Sequence, residues 1–379
     1  MAESTELLVT LKPGFTTVSP DRRTVLSFDR EGRLYAYYKA GVTYRRTLAS
    51  AVEVRYREDA RRRERLSRAE AARLFAEVHR IAATCYRQGP AALRARFEED
   101  GVLQWTPERL LAQEEAFYRV YKPISILPPD QYLSVVVQAT EGCTWNRCTF
   151  CSFYQDRPFR AKSREEFARH VEAVKAFFGR GLSLRKGVFL ADGNALALSQ
   201  NRLMPLFEVV RDAFPGRPVY SFIDVYTGER KAVEEWRRLV EMGLHRVYIG
   251  METGCDELLA FLNKPGSREE LIRFVHDLKE AGVAVGLIAM VGVGGKEYAG
   301  RHGEETLAAI ARMPLGPGDL VYLSPFIEHP GSEYARRRAE RGLTPLSEEA
   351  IEAELQRLAG EIRTLGFKAA RYDIREFIY

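Results

Sequence analysis

The sequence predicts an α/β protein built around a partial (β/α)6 barrel of the TIM type, with a small N-terminal region of β-strands and helices and with C-terminal helices. Two observations predict this fold class. From residue 131 onward, apolar runs of strand length alternate with amphipathic segments of helix length, which is the pattern of β-α units around a parallel sheet. Six such units are present, fewer than a closed barrel requires.

Composition sets the outer bounds. The chain has 379 residues, of which 46% are apolar, so it is long enough for one large domain and a smaller one. No run approaches the roughly 20 uninterrupted apolar residues of a membrane span. We therefore expect a soluble, cytoplasmic protein with no membrane partner. The net charge of +5 is modest and does not by itself indicate a polyanionic partner.

The N-terminal region, residues 1–129, is predicted to begin with a small β element and to continue with helices. Runs rich in β-branched and aromatic residues predict strands over 7–12, 24–28, 34–38 and 42–48. Apolar residues at helical spacing predict a helix over 67–88, which Ser67 and Glu70 start as a capping box. Shorter helices are predicted near 91–99 and 107–118. Pro123, Pro128 and Pro129 predict a connector that ends the region.

The barrel region, residues 130–330, and the C-terminal region, residues 331–379, follow. The predicted barrel strands are 132–139, 187–191, 218–223, 245–251, 283–291 and 319–324. The predicted barrel helices are 163–179, 200–213, 229–242, 268–281 and 301–313. The C-terminal region is predicted to hold helices over 332–341 and 347–365. Its final run, 367–379, is expected to add an edge strand or to close the barrel mouth, and its aromatic end indicates that it is tied down.

Three cysteines lie close together directly after the first barrel strand. Cys143, Cys148 and Cys151 fall within nine residues, and thiolates at that spacing repel one another unless a metal centre takes up their charge. Thiolate is the ligand that iron–sulfur clusters select. Three ligands also leave one coordination position open. A structural zinc site is the alternative, but it needs a fourth ligand, which Cys85 or Cys255 would have to supply because no histidine lies in the loop.

A disulfide is the weaker alternative for these cysteines. The chain has five cysteines and no signal peptide, which indicates a reducing compartment.

The loop resembles that of the radical S-adenosylmethionine (SAM) superfamily, in which an aromatic residue precedes the last cysteine, here Phe150. The resemblance implies that Cys143, Cys148 and Cys151 hold a 4Fe–4S cluster whose unique iron is chelated by SAM. It further implies that one electron, from a donor such as flavodoxin or ferredoxin, cleaves SAM to methionine and a 5′-deoxyadenosyl radical, which abstracts hydrogen from a substrate. The spacing departs from the commonest one, since four residues rather than three separate the first two cysteines.

The same resemblance assigns SAM-binding residues to the strand ends. After the second strand, Asp192, Gly193 and Asn194 stand where the family carries Gly-Gly-Glu. Binding of the amino group of SAM is therefore assigned to backbone carbonyls and to Asp192. The remaining assignments are Ser221 as a contact to SAM, Glu252 near its methionyl or ribose part, and Val291 and Gly292 against its adenine.

Each of these assignments has a plainer alternative. Asp-Gly-Asn also fits a simple turn, and Glu252 also fits an ion pair with an arginine such as Arg246. Cys255 is expected to be structural, with hydrogen donation to a substrate radical as the alternative. His329 belongs to a Pro-Gly-Ser turn that resembles the coproporphyrinogen dehydrogenase and elongator-type branch, and it either transfers a proton or is structural.

Clustered basic residues indicate a second class of function. Segment 55–73 carries eight arginines against four acids, which fits a nucleic-acid-binding protein with a structural metal site, an RNA-modifying radical SAM enzyme, or simply a solvated helix face. The eight are Arg55, Arg57, Arg61, Arg62, Arg63, Arg65, Arg68 and Arg73. The chain shows neither a second cysteine cluster nor the β-α pattern of a cobalamin-binding domain before the barrel. The sequence does not identify the substrate.

Overall fold

In the computed structural model, which describes residues 7–59 and 62–379, the chain forms one antiparallel and one parallel sheet of seven strands each. Arg61 of the basic segment lies outside these residues. The antiparallel sheet is a meander whose spatial order equals its chain order. Its strands are β1 (Leu8–Leu11), β2 (Phe15–Asp21), β3 (Thr24–Asp29), β4 (Leu34–Lys39), β5 (Val42–Arg46), β6 (Val52–Tyr56) and β7 (Arg63–Arg65).

Four helices follow the antiparallel sheet, and the first three share its apolar core, whereas the fourth packs on the barrel. They are α1 (Arg68–Gln88), α2 (Ala91–Asp100), α3 (Pro107–Leu111) and α4 (Gln113–Val120). Leu26 and Tyr37 of the sheet share an apolar core with Phe75 of α1, and all three side chains are fully buried. The predicted capping box starts α1, since Ser67 and Glu70 bond each other's backbone N–H groups.

The sequence suggested that the basic segment forms one face of a helix, but most of the segment lies before the first helix. Arg55 ends in β6, residues 63–65 form β7, and α1 begins only at Arg68. Pairing of β6 with β7 places Glu53 opposite Arg65, where the two side chains form an ion pair of 2.6 Å. Cross-strand charge pairing therefore overrides the helical interpretation of this segment.

The remaining strands build the barrel. They are β8 (Val135–Gln138), β9 (Thr140–Glu141), β10 (Arg160–Ala161), β11 (Val188–Ala191), β12 (Val219–Ile223), β13 (Leu244–Glu252), β14 (Ala284–Val291), β15 (Leu320–Pro325) and β16 (Ala369–Arg371). Strands β9 and β10 form a separate antiparallel pair, and the others run parallel in the order β8-β11-β12-β13-β14-β15-β16. The predicted partial barrel is confirmed, and the final run supplies its seventh strand.

The barrel helices lie between and after these strands. They are α5 (Arg164–Phe178), α6 (Gln200–Ala213), α7 (Val225–Gly228), α8 (Val233–Glu241), α9 (Asp256–Phe261), α10 (Arg268–Glu280), α11 (Gly295–Ala311), α12 (Glu333–Glu340) and α13 (Glu348–Thr364). The helix predicted over 229–242 is α8, which begins only at Val233, and the short helix α7 lies before the predicted range. Helix α11 begins before the predicted residue 301, because Gly294 adopts a φ of +83° and turns the chain out of β14.

The C-terminal residues cover the open side of the barrel. The N–H of Val136, on the edge strand β8, donates to the hydroxyl of Tyr379 over 2.8 Å, and that hydroxyl donates to the carbonyl of Ser134 over 3.1 Å. Tyr372 donates to the carbonyl of Leu127 over 2.8 Å. Side-chain hydroxyls thus satisfy backbone groups that an open sheet edge leaves unpaired.

Within the described residues, no helix is long and apolar enough to cross a membrane. The division of the chain into regions 1–129, 130–330 and 331–379 stays a prediction.

Candidate active site

The three clustered cysteines lie on one loop, which the β9–β10 pair closes at its base. The loop is fastened to the segment after α9. The indole N–H of Trp145 donates to the carbonyl of Asn263 over 2.8 Å, and the N–H of Thr149 donates to the carbonyl of Leu262 over 2.9 Å. Inside the loop, Asn146 adopts a φ of +48° and its amide donates to the carbonyl of Tyr154. These bonds fix the backbone around the cysteines before any ligand binds.

All three cysteines line one cavity of about 210 Å³ at the C-terminal ends of the parallel strands. This is the end at which β/α barrels carry their functional groups. The polar and charged groups around the cavity are few, and the apolar lining comes from both the loop and the barrel. The lining includes Phe150, Phe153, Gly193, Phe222, Asp224, Tyr248, Glu252, Lys264, Ile288, Met290, Ser324, Phe326, His329 and Tyr372.

The thiols at this cavity are free and partly buried. Burial raises the pKa of Cys148 to about 12, with smaller contributions from Glu252 and the other two cysteines, while Lys264 acts in the opposite direction. Burial likewise raises the pKa of Cys151. The protein alone therefore keeps Cys148 and Cys151 as thiols, and a bound cationic centre has to supply the charge that turns them into thiolate ligands.

The donor set suits an iron–sulfur cluster in number and chemistry, and its three thiols line one cavity. Across residues 7–59 and 62–379, no group of three or more His, Cys, Asp or Glu, these cysteines included, is close enough together to hold a single metal ion. Cys85 and Cys255, the fourth ligands that a zinc site would need, are both buried in apolar clusters and do not line the cavity. Cys255 therefore has the packing environment of a structural residue.

Glu252 stands at the end of β13 and faces the cavity. Its φ is +56°, and the register with β14 shifts between Gly250 and Glu252. The carboxylate pairs with Lys264, Nζ to Oε1 2.9 Å, and both side chains are nearly buried. The alternative partner Arg246 lies elsewhere, paired with Asp130 over 2.8 Å. The acid therefore has a buried partner, as its position in the sequence required.

Lys264 is the functional group that the sequence analysis missed. Its burial by itself would lower its pKa, but Glu252 and Cys148 outweigh burial and hold the pKa above its usual value. The side chain is therefore a fixed positive charge beside Cys148. The sequence did contain a signal for it: a buried acid requires a basic partner, and Lys264 is the nearest lysine downstream of Glu252.

The three residues of the Asp-Gly-Asn motif make different contacts. Asp192 does not line the cavity, and its carboxylate pairs with Arg157 over 2.9 Å. Burial raises the pKa of Asp192 to about 6, and Arg157 opposes that shift. Gly193 lines the cavity against the ring of Tyr154, where an added Cβ would lie 2.7 Å from Cε2.

Asn194 belongs to a buried polar network beneath the cysteine loop. Its Nδ2 donates to Oγ1 of Thr144 over 2.9 Å, to Oγ1 of Thr227 over 3.0 Å and to the carboxylate of Asp224. Asp224 in turn caps α7 by accepting from the N–H of Thr227. The network thus connects the cysteine loop to the ends of β11 and β12.

The other three predicted SAM contacts do not line the cavity. Ser221 is fully buried, and its hydroxyl donates to the carbonyl of Leu190 over 2.7 Å. Val291 is fully buried, and Gly292 lies against Ile351 of α13. From β14, the cavity is lined instead by Ile288 and Met290. The predicted roles of Ser221, Val291 and Gly292 stay predictions, and they depend on backbone rather than side-chain contacts.

A buried histidine that the sequence analysis did not single out fixes the ends of β13 and β14. Nε2 of His302 lies 2.7 Å from the carbonyl of Met290, and Nδ1 lies 2.7 Å from Oγ1 of Thr253. Because a carbonyl only accepts, Nε2 carries the proton and Nδ1 accepts from Thr253. Burial lowers the pKa of His302, which keeps this neutral form. His302 therefore holds the residue after Glu252 in place.

Comparison with known proteins identifies the central part of the chain. Residues 137–310 match the family model of the radical SAM superfamily. Comparison with curated protein sequences gives no match. The match begins in β8 and ends in α11, so it contains the cysteine loop, the Asp-Gly-Asn motif and the Glu252–Lys264 pair.

Several solved structures are similar to the chain at low sequence identity. Coproporphyrinogen III oxidase (HemN) from Escherichia coli is 14% identical, with a TM-score of 0.46 over 67% of this chain and 56% of that chain. Methylornithine synthase (PylB) is 15% identical, with a TM-score of 0.43 over 80% and 85%. The cobalamin-dependent radical SAM enzyme OxsB is 16% identical, with a TM-score of 0.40 over 57% of this chain. The chain spans only 30% of the length of OxsB.

Proposed function

We propose that the chain is a radical SAM enzyme that cleaves SAM reductively and abstracts hydrogen from a substrate, a proposal that the match of residues 137–310 to the radical SAM family model supports. Its cofactors are those of the family, a 4Fe–4S cluster and SAM. Bound at the cavity, they supply a 5′-deoxyadenosyl radical, and the protein supplies the binding, orientation and exclusion of competing reactions.

One observation supports the proposal most directly. Cys143, Cys148 and Cys151 line the same cavity as the Glu252–Lys264 pair, at the C-terminal end of a parallel barrel. We assign the three cysteines as the cluster ligands. Since a cluster of four irons with three protein ligands leaves one iron open, this donor set provides the position at which SAM binds.

The chain's own groups then orient SAM. In this assignment, Lys264 offers its ammonium to the carboxylate of SAM, and Glu252 accepts hydrogen bonds from the SAM ammonium or ribose hydroxyls. Gly193 lets the backbone approach the ligand, because it has no side chain at the cavity wall. Asp192 supports the loop through Arg157 and leaves the direct contact to the backbone.

The cavity lining suits radical chemistry. Phe150, Phe222, Ile288 and Phe326 surround the space in which a substrate would lie beside SAM. Apolar walls of this kind exclude water, which limits side reactions of a reactive intermediate. Ser324 and His329 are polar groups on the side away from the Asp-Gly-Asn motif, and we assign them to substrate contact.

The nucleic-acid-binding alternative gains no support from its motif. Four arginines of the segment pair with acids, namely Arg62 with Glu64, Arg63 with Glu376, Arg65 with Glu53 and Arg68 with Glu114. Half of the eight charges that would contact phosphates are thus paired within the protein. We therefore do not propose a separate function for segment 55–73.

The decisive experiment is anaerobic. The protein is reconstituted with iron and sulfide and given dithionite and SAM, and 5′-deoxyadenosine is measured. We expect product from the unchanged protein and none from Cys148→Ala, which should also lose the visible absorbance of the cluster. Cys85→Ala is the matched control, because it removes a cysteine from a separate apolar core and should keep both cluster and product. Full cluster content in Cys148→Ala would contradict the assignment.

A further inference from the structure

An aromatic and basic patch lies on the outer side of the cysteine loop. It consists of Trp145, Arg147, Tyr226 and Arg230, none of which lines the cavity. The ring centroids of Trp145 and Tyr226 are 6.3 Å apart. Cζ of Arg147 lies 5.8 Å from the Trp145 ring, and Cζ of Arg230 lies 4.3 Å from the Tyr226 ring. The four side chains thus form one continuous surface, which we call the Arg147–Arg230 patch.

The two arginines of this patch carry uncompensated charge. Both are exposed, and among the residues that the structure describes no carboxylate forms an ion pair with either. The neighbouring acid Glu229 pairs instead with Arg273 over 3.4 Å. Asp224 points the other way, into the network with Asn194 and Thr227. The guanidinium groups of Arg147 and Arg230 are therefore both available to an acidic partner from outside the chain.

The patch also exposes aromatic surface on a rigid base. Tyr226 is 46% exposed, one of the most exposed large aromatic side chains in the described part of the chain. Trp145 is held by its bond to Asn263, and the side-chain amide of Asn263 donates to the carbonyl of Arg147 over 2.8 Å. An exposed ring next to an arginine whose backbone is fixed has the composition of an interface centre, where aromatic residues and Arg are enriched.

The position of the patch decides what kind of partner it fits. Arg147 directly precedes Cys148, so a protein docked here contacts the loop from outside while the cavity stays open to SAM and substrate. A substrate has to enter the cavity, but an electron does not. Weak redox encounters use small interfaces steered by complementary charge. We propose that the Arg147–Arg230 patch docks an acidic one-electron carrier protein, and this proposal rests on the function proposed above.

The step that docking serves is electron transfer alone. The reduced carrier would give up one electron and be oxidised, and a cluster held by Cys143, Cys148 and Cys151 would gain that electron and be reduced. No covalent bond forms or breaks and no proton is transferred at the patch. The interface therefore needs closeness and orientation but no catalytic side chain.

The test uses the reconstituted full chain and oxidised flavodoxin, an acidic protein, in a direct binding measurement. The double variant Arg147→Glu/Arg230→Glu should bind flavodoxin at least about tenfold more weakly at low salt, because charge reversal replaces attraction with repulsion. Added salt should weaken binding to the unchanged protein and leave the variant little affected. Arg22→Glu/Arg23→Glu, a matched reversal on the exposed turn between β2 and β3, should bind as the unchanged protein does.

A second readout separates this proposal from the proposed function. SAM cleavage driven by reduced flavodoxin should fall about tenfold in the patch variant, while cleavage driven by dithionite, which needs no docking, should stay the same. Equal flavodoxin affinity and rate in the patch variant and the unchanged protein would overturn the proposal. So would loss of the dithionite-driven rate. If dithionite yields no 5′-deoxyadenosine from the unchanged protein, the proposed function fails, and the binding measurement still decides the patch.

Discussion

Lys264 and Glu252 form a buried ion pair, Nζ to Oε1 2.9 Å, at the wall of the cavity that the three cysteines share. The carboxylate stands at the end of β13 and the ammonium follows α9, so the pair joins two successive elements of the barrel. Removing one partner leaves the other charge buried without compensation, and such a loss costs about 3–5 kcal/mol of the free energy of unfolding.

We therefore expect Lys264→Met to lower the free energy of unfolding by about 3 kcal/mol, measured by urea denaturation. Glu252→Leu should do the same. The double variant should lose clearly less than the two single losses together, because it leaves no unpaired charge. Additive losses would show that the pair contributes no mutual stabilisation.

How far the sequence predicted this site depends on the kind of residue. Cys143, Cys148 and Cys151 stand out because the chemistry needs several ligands on one loop, and such spacing is visible in one dimension. Glu252 stands out because an acid at the end of an apolar strand needs a partner. Its partner Lys264 was not predicted, since the return of the chain after α9 is a tertiary contact that no local pattern encodes.

The fold shows the same division. Alternating apolar runs predicted the barrel strands, because each buried strand has to be apolar on both faces. They did not predict β6 and β7, where the order of charges along the chain resembled a helix. There the deciding interaction is between strands: Glu53 opposite Arg65, and Arg62 beside Glu64.

His170 predicts a specific pH dependence of stability. Burial lowers its pKa from 6.5 to about 4, and its Nε2 accepts from the N–H of Gln138 at the end of β8. The unfolded chain therefore binds the proton more readily than the folded protein. The contribution of His170 is complete above pH 6.5 and is lost as the pH falls from 6.5 towards 4.

The measurement is the free energy of unfolding as a function of pH for the unchanged protein and for His170→Gln, whose side-chain carbonyl can still accept from Gln138. Between pH 7 and pH 4 the unchanged protein should lose about 2–3 kcal/mol more than the variant, at about 1.4 kcal/mol for each unit of pKa difference. Taking the difference cancels other groups, including Asp192. Parallel curves would show that His170 is not held neutral.

Gly193 predicts a cost of added volume at the cavity. A Cβ there would lie 2.7 Å from Cε2 of Tyr154 and 3.1 Å from the carbonyl of Gly142, on the cysteine loop. We expect Gly193→Ala to displace Tyr154 and to lower the free energy of unfolding by about 1–3 kcal/mol. Affinity for SAM, measured by calorimetry on the reconstituted protein, should fall as well.

The control for Gly193 is Gly300→Ala. Gly300 lies inside α11 with no atom within 4 Å of an added Cβ, so this change should raise the free energy of unfolding by about 0.5–1 kcal/mol through helix propensity. Equal effects of the two substitutions would contradict the close packing of Gly193 on Tyr154.

The last prediction concerns the edge of the barrel. The hydroxyl of Tyr379 accepts from the N–H of Val136 in β8 and donates to the carbonyl of Ser134, the residue before β8, so one side chain satisfies two backbone groups at this edge. Tyr379→Phe keeps the ring in its buried place and removes only the oxygen. A buried N–H left without a partner costs about 1–3 kcal/mol, and we expect a loss of that size in the free energy of unfolding.

Amide hydrogen exchange at Val136 should accelerate, while exchange at Val247, inside the sheet on β13, should change only as much as global stability does. Tyr118→Phe, on an exposed side chain of α4, is the matched control and should leave both quantities unchanged. An unchanged rate at Val136 in Tyr379→Phe would mean that β8 does not depend on the C-terminal tyrosine for its protection.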